Sequence, residues 1–192
     1  LSPAKLTYST EGLPLDVAVL SEPASCANHG LESLAVQPGG TVLVVGAGPT
    51  GILLAQMIVH GGASHVTISG STKFKLDLAT SYGIDSAYLM DRSKPDESFA
   101  DLHALAPGHG GWDYIVDATG SADVTERCLP LLRTGGTLLV YGVTDPDDRV
   151  SFSPYDVFRR ELSIKGSFAE ISNFRSTIAM LKSGRVQTRG LI

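Results

Sequence analysis

The chain has 192 residues, of which 43% are hydrophobic and 18% charged, and its formal net charge is −5. This is the composition of an α/β protein with one full core, two at most, and it argues against nucleic acid or an anionic membrane as a main partner. No apolar run reaches the roughly 18–20 residues that span a bilayer. The two cysteines, Cys26 and Cys128, make neither a disulfide framework nor a zinc knuckle, which points to a reducing, cytoplasmic compartment.

In chain order, residues 1–12 read as a polar linker, and residues 13–192 as one domain. The first residue is Leu rather than Met and the end at Ile192 has no tapering tail, so a fragment of a longer protein is expected. Leu15–Leu20 reads as a helical turn packed on the core. Ser21–Val36 reads as a helix capped by Ser21, with Pro23 in its first turn and Ala27, Leu31, Leu34 and Ala35 on one apolar face. Gln37-Pro38-Gly39-Gly40 ends it.

Thr41–Val45 then supplies five apolar or β-branched residues, the mark of a buried strand. Gly46, Gly48 and Gly51 follow in G-x-G-x-x-G spacing, and Ile52–His60 continues as a helix. Strand, glycine turn and helix in this order are the context in which the motif means dinucleotide binding. Gly46 turns the chain tightly, Gly48 lets backbone approach a pyrophosphate, and Gly51 lets helix and strand pack closely. The helix N-terminus offers free N–H groups and a partial positive charge, and Pro49 suits its first turn.

Further on, His65–Ser69 is expected as a strand, Phe74–Tyr82 as a helix, Ser86–Met90 as a strand and Ser98–Leu105 as a helix. Trp112–Asp117 is the fourth strand, Ala122–Leu132 a helix, Gly136–Tyr141 the fifth strand, Leu162–Gly166 the sixth and Ile171–Ser183 the last helix. Such alternation predicts an α/β, doubly wound Rossmann domain with a six-stranded parallel sheet in the order 3-2-1-4-5-6. Ligand then lies at the carboxyl ends of the strands, where Gly46, Ala118–Gly120 and Gly142 are small and flexible.

The end of the second strand addresses cofactor choice. NAD-specific folds place an acid there to accept from the ribose hydroxyls. No carboxylate occurs between Gly62 and Asp77; Gly70, Ser71, Thr72, Lys73 and Lys75 stand there instead. Hydroxyls and ammonium groups pair with a 2′-phosphate, so NADP(H) is preferred, with NAD(H) as the alternative.

The stretches EPASCANHGLESL, VLVVGAGPTGILLAQM, GASHV, DYIVDATGS, RTGGTLLVYGV and FRRELSIKGSF, in this order, resemble the cofactor domain of medium-chain, zinc-dependent alcohol and polyol dehydrogenases. The likeness runs from about Glu22 to Ile192 and is greatest toward NADP-using D-arabinitol and sorbitol dehydrogenases. It implies hydride transfer between a nicotinamide and a secondary alcohol of a polyol, assisted by a catalytic zinc that acts as a Lewis acid. It further implies a GroES-like catalytic lobe that is missing from this chain, so the chain alone would bind cofactor without turnover.

By the same resemblance, Glu22 takes the place of an acidic or cysteine zinc ligand and is the catalytic candidate; a helix N-terminal Glu favoured by the dipole is the alternative. Gly46, Gly48, Pro49, Thr50 and Gly51 match the pyrophosphate turn. Gly70, Ser71, Lys73 and Lys75 match the 2′-phosphate region, with Thr72 where the family often has arginine. Ala118 and Thr119 match the loop over the adenosine. Val140, Gly142 and Val143 match the segment that flanks the nicotinamide, Ser167 and Phe168 match backbone near its carboxamide, and Cys26 matches a contact to its ring, with a small buried thiol as the alternative. A homo-oligomer through the Leu162–Gly166 edge is implied as well. His29, His60, His65, His103 and His109 show no ligand spacing, and Asp117 suits either loop orientation or chemistry. The competing readings are an NAD-linked sorbitol- or threonine-type dehydrogenase domain and a free-standing nucleotide-binding module without catalysis.

Overall fold

The computed structural model describes residues 7–108, 110–169 and 173–192. Its six strands are β1 (Thr41–Val45), β2 (His65–Gly70), β3 (Ser86–Leu89), β4 (Trp112–Asp117), β5 (Leu132–Val140) and β6 (Ser163–Gly166). They form one sheet in the order β3-β2-β1-β4-β5-β6, and every neighbouring pair is parallel. The helices are α1 (Leu15–Ala18), α2 (Ser21–Leu34), α3 (Pro49–His60), α4 (Lys73–Ser81), α5 (Pro95–Ala104), α6 (Ala122–Cys128), α7 (Pro154–Arg159) and α8 (Phe174–Lys182).

β1 is buried at all five positions because the sheet is covered on both faces. Side chains alternate across a strand, so Val42 and Val44 join one core with residues of α2, α3, α4 and α8. Leu43 and Val45 join a second core with Phe99 and Leu102 of α5 and Cys128 of α6. The strand order reverses between β2–β1 and β1–β4. That switch point opens a crevice beyond the carboxyl ends of these strands.

Several local expectations are corrected. Ser21 does not cap α2: Leu20 holds the cap position, and the buried Ser21 hydroxyl has no partner. α2 ends at Leu34 rather than Val36, because Ala35 turns left-handed at φ 54° and faces solvent instead of the apolar face. Leu15 and Val19 are exposed rather than packed; Leu20 is the buried residue of that turn. The helix from Ala122 stops at Cys128 and gives way to a 3₁₀ turn, Leu129–Leu131, around Pro130. Leu132 then already belongs to β5, whose pairing with β4 is irregular between Trp112 and Tyr114. The mixed segment Phe152–Arg160 contains α7, capped by the Ser153 hydroxyl. Residues 1–6 of the expected linker, His109 and the expected helix start at Ile171 lie outside the described residues. Tyr8 stacks on Phe174 of α8 with ring centroids 4.9 Å apart. Among the described residues no helix is long and apolar enough to cross a membrane.

Candidate functional site

A cleft of about 590 Å³ opens at the switch point, between the ends of β1, β2 and β4 and the starts of α3 to α6. Gly46, Gly48, Gly70, Ser71, Lys75, Ala118 and Thr119 all line it, so seven of the sequence-selected residues meet in one place.

The floor is made of backbone. Gly46 sits at φ 117°, and a Cβ there would come within 2.8 Å of the Ala118 carbonyl oxygen. A Cβ on Gly51 would lie 2.1 Å from the Gly46 carbonyl oxygen, and one on Gly70 2.9 Å from the Ala47 Cβ. These three positions are closed to any side chain, Gly46 and Gly51 by main chain and Gly70 by the Ala47 methyl. Gly48 differs: a Cβ there would meet nothing within 4 Å, so the space above it belongs to the cleft. Gly48 is also the N-cap of α3, with Pro49 as the first helical residue and no side-chain cap. The first intrahelical bond comes from Ile52 N–H to the Gly48 carbonyl, at 2.9 Å. The N–H groups of Thr50 and Gly51 therefore have no acceptor within the helix and carry its positive end. Such a cradle accepts an anion.

Asp117 builds the opposite wall. It is buried at the end of β4, and its carboxylate accepts from the Thr119 N–H at 2.9 Å, the Thr119 hydroxyl at 2.6 Å and the Thr125 hydroxyl. Its main-chain carbonyl accepts from Tyr141 and Gly142 N–H, at 3.0 and 2.8 Å. The side chain is thus fully engaged in shaping the 118–121 turn. Gly120, at φ 72°, and Gly142 pack back to back; a Cβ on Gly142 would lie 2.2 Å from the Gly120 nitrogen. This ties the end of β5 to the cleft wall. Cys128 lies in the core beneath, where burial first and Asp117 second push its thiol well up, away from nucleophilic chemistry.

Of the other selected residues, Pro49, Thr50 and Gly51 open α3, and a second group lies at the ends of β5 and β6 and on α2. Val140, Gly142 and Val143 leave β5, and Ser167 and Phe168 leave β6; none of these lines the cleft. Val143 and Phe168 are 87% and 86% exposed, an unusual state for apolar side chains beside a cleft. The Ser167 hydroxyl is buried without a partner. On α2 the Cys26 thiol, one turn beyond Glu22, donates to the Glu22 carboxylate at 3.3 Å. Tyr141 joins the two groups. Its ring stands where a Cβ on Gly30 of α2 would come within 3.1 Å. Burial chiefly, with Cys26 and Glu22 adding, raises its hydroxyl pKa, while a hydrogen bond with Thr50 opposes the shift. Sequence reasoning treated Tyr141 as a strand end and missed this bridge between α2, α3 and β5.

Two findings revise the charged rim. Lys73 points along α4 and pairs with Asp77, its Nζ 2.6 and 2.8 Å from the two carboxylate oxygens, and it does not line the cleft. Arg92, which the sequence reading missed, does line it. It follows β3, and nothing in its local sequence marks it; only the pairing of β3 with β2 brings it to Ser71.

The donor set for a metal is thin. Glu22 and Cys26 interact with each other, and among the described residues no group of three or more His, Cys, Asp or Glu side chains is placed to hold an ion. The residues present fit a dinucleotide and do not by themselves make a zinc site.

The comparisons agree with this geometry. The family model described as zinc-binding dehydrogenase matches residues 49–183. The chain is 38% identical over 190 residues to D-arabinitol dehydrogenase 1 of Uromyces fabae, covering 98% of this chain and 54% of that protein. It is 35% identical over 182 residues to D-altritol 5-dehydrogenase of Agrobacterium fabrum, covering 92% and 51%. The chain therefore spans about half the length of the curated relatives it matches. Among solved structures, a dehydrogenase-type protein of Sinorhizobium meliloti 1021 bound to NADP superposes with a TM-score of 0.81 at 27% identity, covering 91% of this chain and 52% of its own. An alcohol dehydrogenase of Escherichia coli complexed with NADH has a TM-score of 0.84 at 23% identity, covering 97% and 54%, a likeness of fold.

Proposed function

This chain belongs to the zinc-binding dehydrogenase family, and on that premise we propose that residues 13–192 are the cofactor domain of an NADP-preferring polyol dehydrogenase of the arabinitol, xylitol or sorbitol type. The observation that carries the reading is the contrast within the glycine turn: Gly46 and Gly51 are closed by main chain, whereas Gly48 faces open cleft at an uncapped helix start. A pyrophosphate needs that combination of space and unpaired N–H groups.

In this reading the chain's own residues bind and orient. Gly48, Thr50 and Gly51 hold the pyrophosphate. Ala118 and Thr119, fixed by Asp117, lie over the adenosine. Ser71 and Lys75 receive the 2′-phosphate, and the absence of a carboxylate after β2 removes the group that would repel it. Val140, Gly142, Val143, Ser167, Phe168 and Cys26 border the nicotinamide, which when bound exchanges hydride with a secondary alcohol. The exposure of Val143 and Phe168 suits surfaces that a cofactor and a second lobe would cover. Glu22 is the zinc ligand we assign among the described residues, to be completed by ligands from a second lobe. β6 is an edge strand exposed at all four positions, which supports pairing with a second copy there. Both cysteines are thiols rather than disulfides, in keeping with a reducing compartment such as the cytoplasm. The names of the relatives support a polyol as substrate.

The test is calorimetric titration of the chain with NADPH and with NADH at matched ionic strength. NADPH is expected to bind at least about tenfold tighter, a difference of about 1.4 kcal/mol. Tighter NADH binding sinks the NADP assignment and favours an NAD-linked domain, a reading to which the capture of Lys73 by Asp77 lends some weight. Binding of neither sinks the dinucleotide reading.

A further inference from the structure

We infer that Arg92, on the loop after β3, is the specificity-determining cation of the cleft, gripping a phosphate on the adenosine ribose together with Lys75. The inference rests on the dinucleotide reading above and adds to it a residue from a different strand end.

The sheet register puts Arg92 there. Gly70, the last residue of β2, pairs with Leu89, the last of β3, and Met90 N–H donates to the Gly70 carbonyl at 2.9 Å. The two chains leave the sheet side by side, so Ser71–Thr72 and Asp91–Arg92 face one another across the cleft mouth. All four residues line it, together with Lys75.

The charges there sort into engaged and available groups. Lys73 is paired with Asp77. Asp123 is held by Arg127, which also reaches Asp96. The Asp91 carboxylate is folded back on its own loop, accepting from the Ser93 N–H at 2.9 Å and the Ser93 hydroxyl at 2.7 Å. Among the described residues, the side chains of Lys75 and Arg92 have no ion-pair partner. Two cations without ion-pair partners from two different strand ends, two hydroxyls lining the same cleft and the uncapped start of α4 make a site for a dianion rather than for a ribose diol. Of the two, the guanidinium offers a planar fork that matches two phosphate oxygens at once, whereas the ammonium acts as a point charge. A neutral diol gains little from either.

The probes are adenosine 2′,5′-bisphosphate and adenosine 5′-monophosphate, which differ only in the phosphate at issue and need no nicotinamide contacts. Each is titrated by calorimetry into the wild-type chain and into Arg92→Gln, Arg92→Lys and Lys73→Gln. Arg92→Gln is expected to weaken the bisphosphate at least about tenfold, or about 1.4 kcal/mol, and to leave the monophosphate within about twofold. Arg92→Lys should recover part of the loss, and Lys73→Gln should change neither ligand. Arg92 is exposed, so unchanged circular dichroism of the variants is expected. Equal weakening of both ligands by Arg92→Gln overturns the inference, because it shows contact with the adenine or the 5′ side. No effect of Arg92→Gln, with wild type still binding both, overturns the inference while the dinucleotide reading stands. Binding of neither ligand by wild type overturns both.

Discussion

The floor and the mouth of the cleft are built in opposite ways. The floor is main chain locked against main chain: Gly46, Gly51 and Gly142 each leave less than 3 Å for a Cβ before it strikes a backbone atom. The mouth is side chains in water, where Ser71, Thr72, Lys75 and Arg92 face each other across a gap. In the function proposed above, floor and rim take separate tasks: the first holds what every dinucleotide shares and the second reads where two of them differ. It follows that floor residues should report on the fold, rim residues on ligand choice, and Gly48, which is floor by position but open by geometry, on binding alone.

That division gives a ranked set of outcomes. Gly51→Ala carries the largest effect: with 2.1 Å to the Gly46 carbonyl oxygen, α3 must move off β1, and a loss of about 2–4 kcal/mol is expected in denaturant unfolding. Asp117→Asn removes the charge that three donors share and should lower stability by about 1.5–3 kcal/mol, with a loosened 118–121 turn visible as faster amide exchange. Gly48→Ala should leave stability within about 1 kcal/mol, because the new methyl meets no atom, yet weaken NADPH about tenfold by occupying the pyrophosphate space. Equal loss of stability at Gly48 and Gly51 would erase the distinction between closed and open floor.

Smaller effects lie away from the cleft. At the opposite end of the sheet, burial raises the Asp113 pKa, but the Thr41 N–H and hydroxyl and the Arg133 guanidinium outweigh it and hold the group below its ordinary value. A carboxyl depressed in the folded state stabilises above its unfolded pKa, and that contribution is lost as pH falls through the folded value. Stability should therefore decline below pH about 4, and Asp113→Asn should flatten that acid limb in thermal melts. The smallest effect is at Lys73→Gln. The Lys73–Asp77 pair is exposed on both sides, so the change should be no more than about 0.5 kcal/mol.

What the sequence made legible follows the same line. β1 and β4 were read residue for residue, β1 because it is a short run of apolar and β-branched residues buried throughout, β4 because its mostly apolar run ends in turn residues. The glycine turn was readable because its demands are local: a positive φ, a missing Cβ, a proline at the helix start. Strand β5 was not, since Arg133-Thr134-Gly135-Gly136 look like a turn and the first three are exposed, and only the irregular pairing with β4 draws Leu132 into the sheet. Ser21 had the composition of a cap, but α2 begins one residue earlier than that role requires. At the site, the cations of the rim were read by proximity in sequence, which chose Lys73 and passed over Arg92. Whether a lysine is available depends on a carboxylate four residues away, and whether an arginine is near depends on strand pairing across the sheet. Tyr141 escaped for the same reason: its neighbours Gly30 and Thr50 lie on two other helices.

The central claim, that the dinucleotide lies on the open floor at Gly48 with its adenosine phosphate at the rim, is tested most directly by hydrogen–deuterium exchange of the chain with and without saturating NADPH. Slowed exchange at residues 46–51, 70–75, 91–92 and 118–121, with smaller slowing at 140–143, is the result this structure predicts. No protection at residues 46–51 under conditions where binding is measured, or protection confined to the opposite end of the sheet around Thr41 and Asp113, would contradict it.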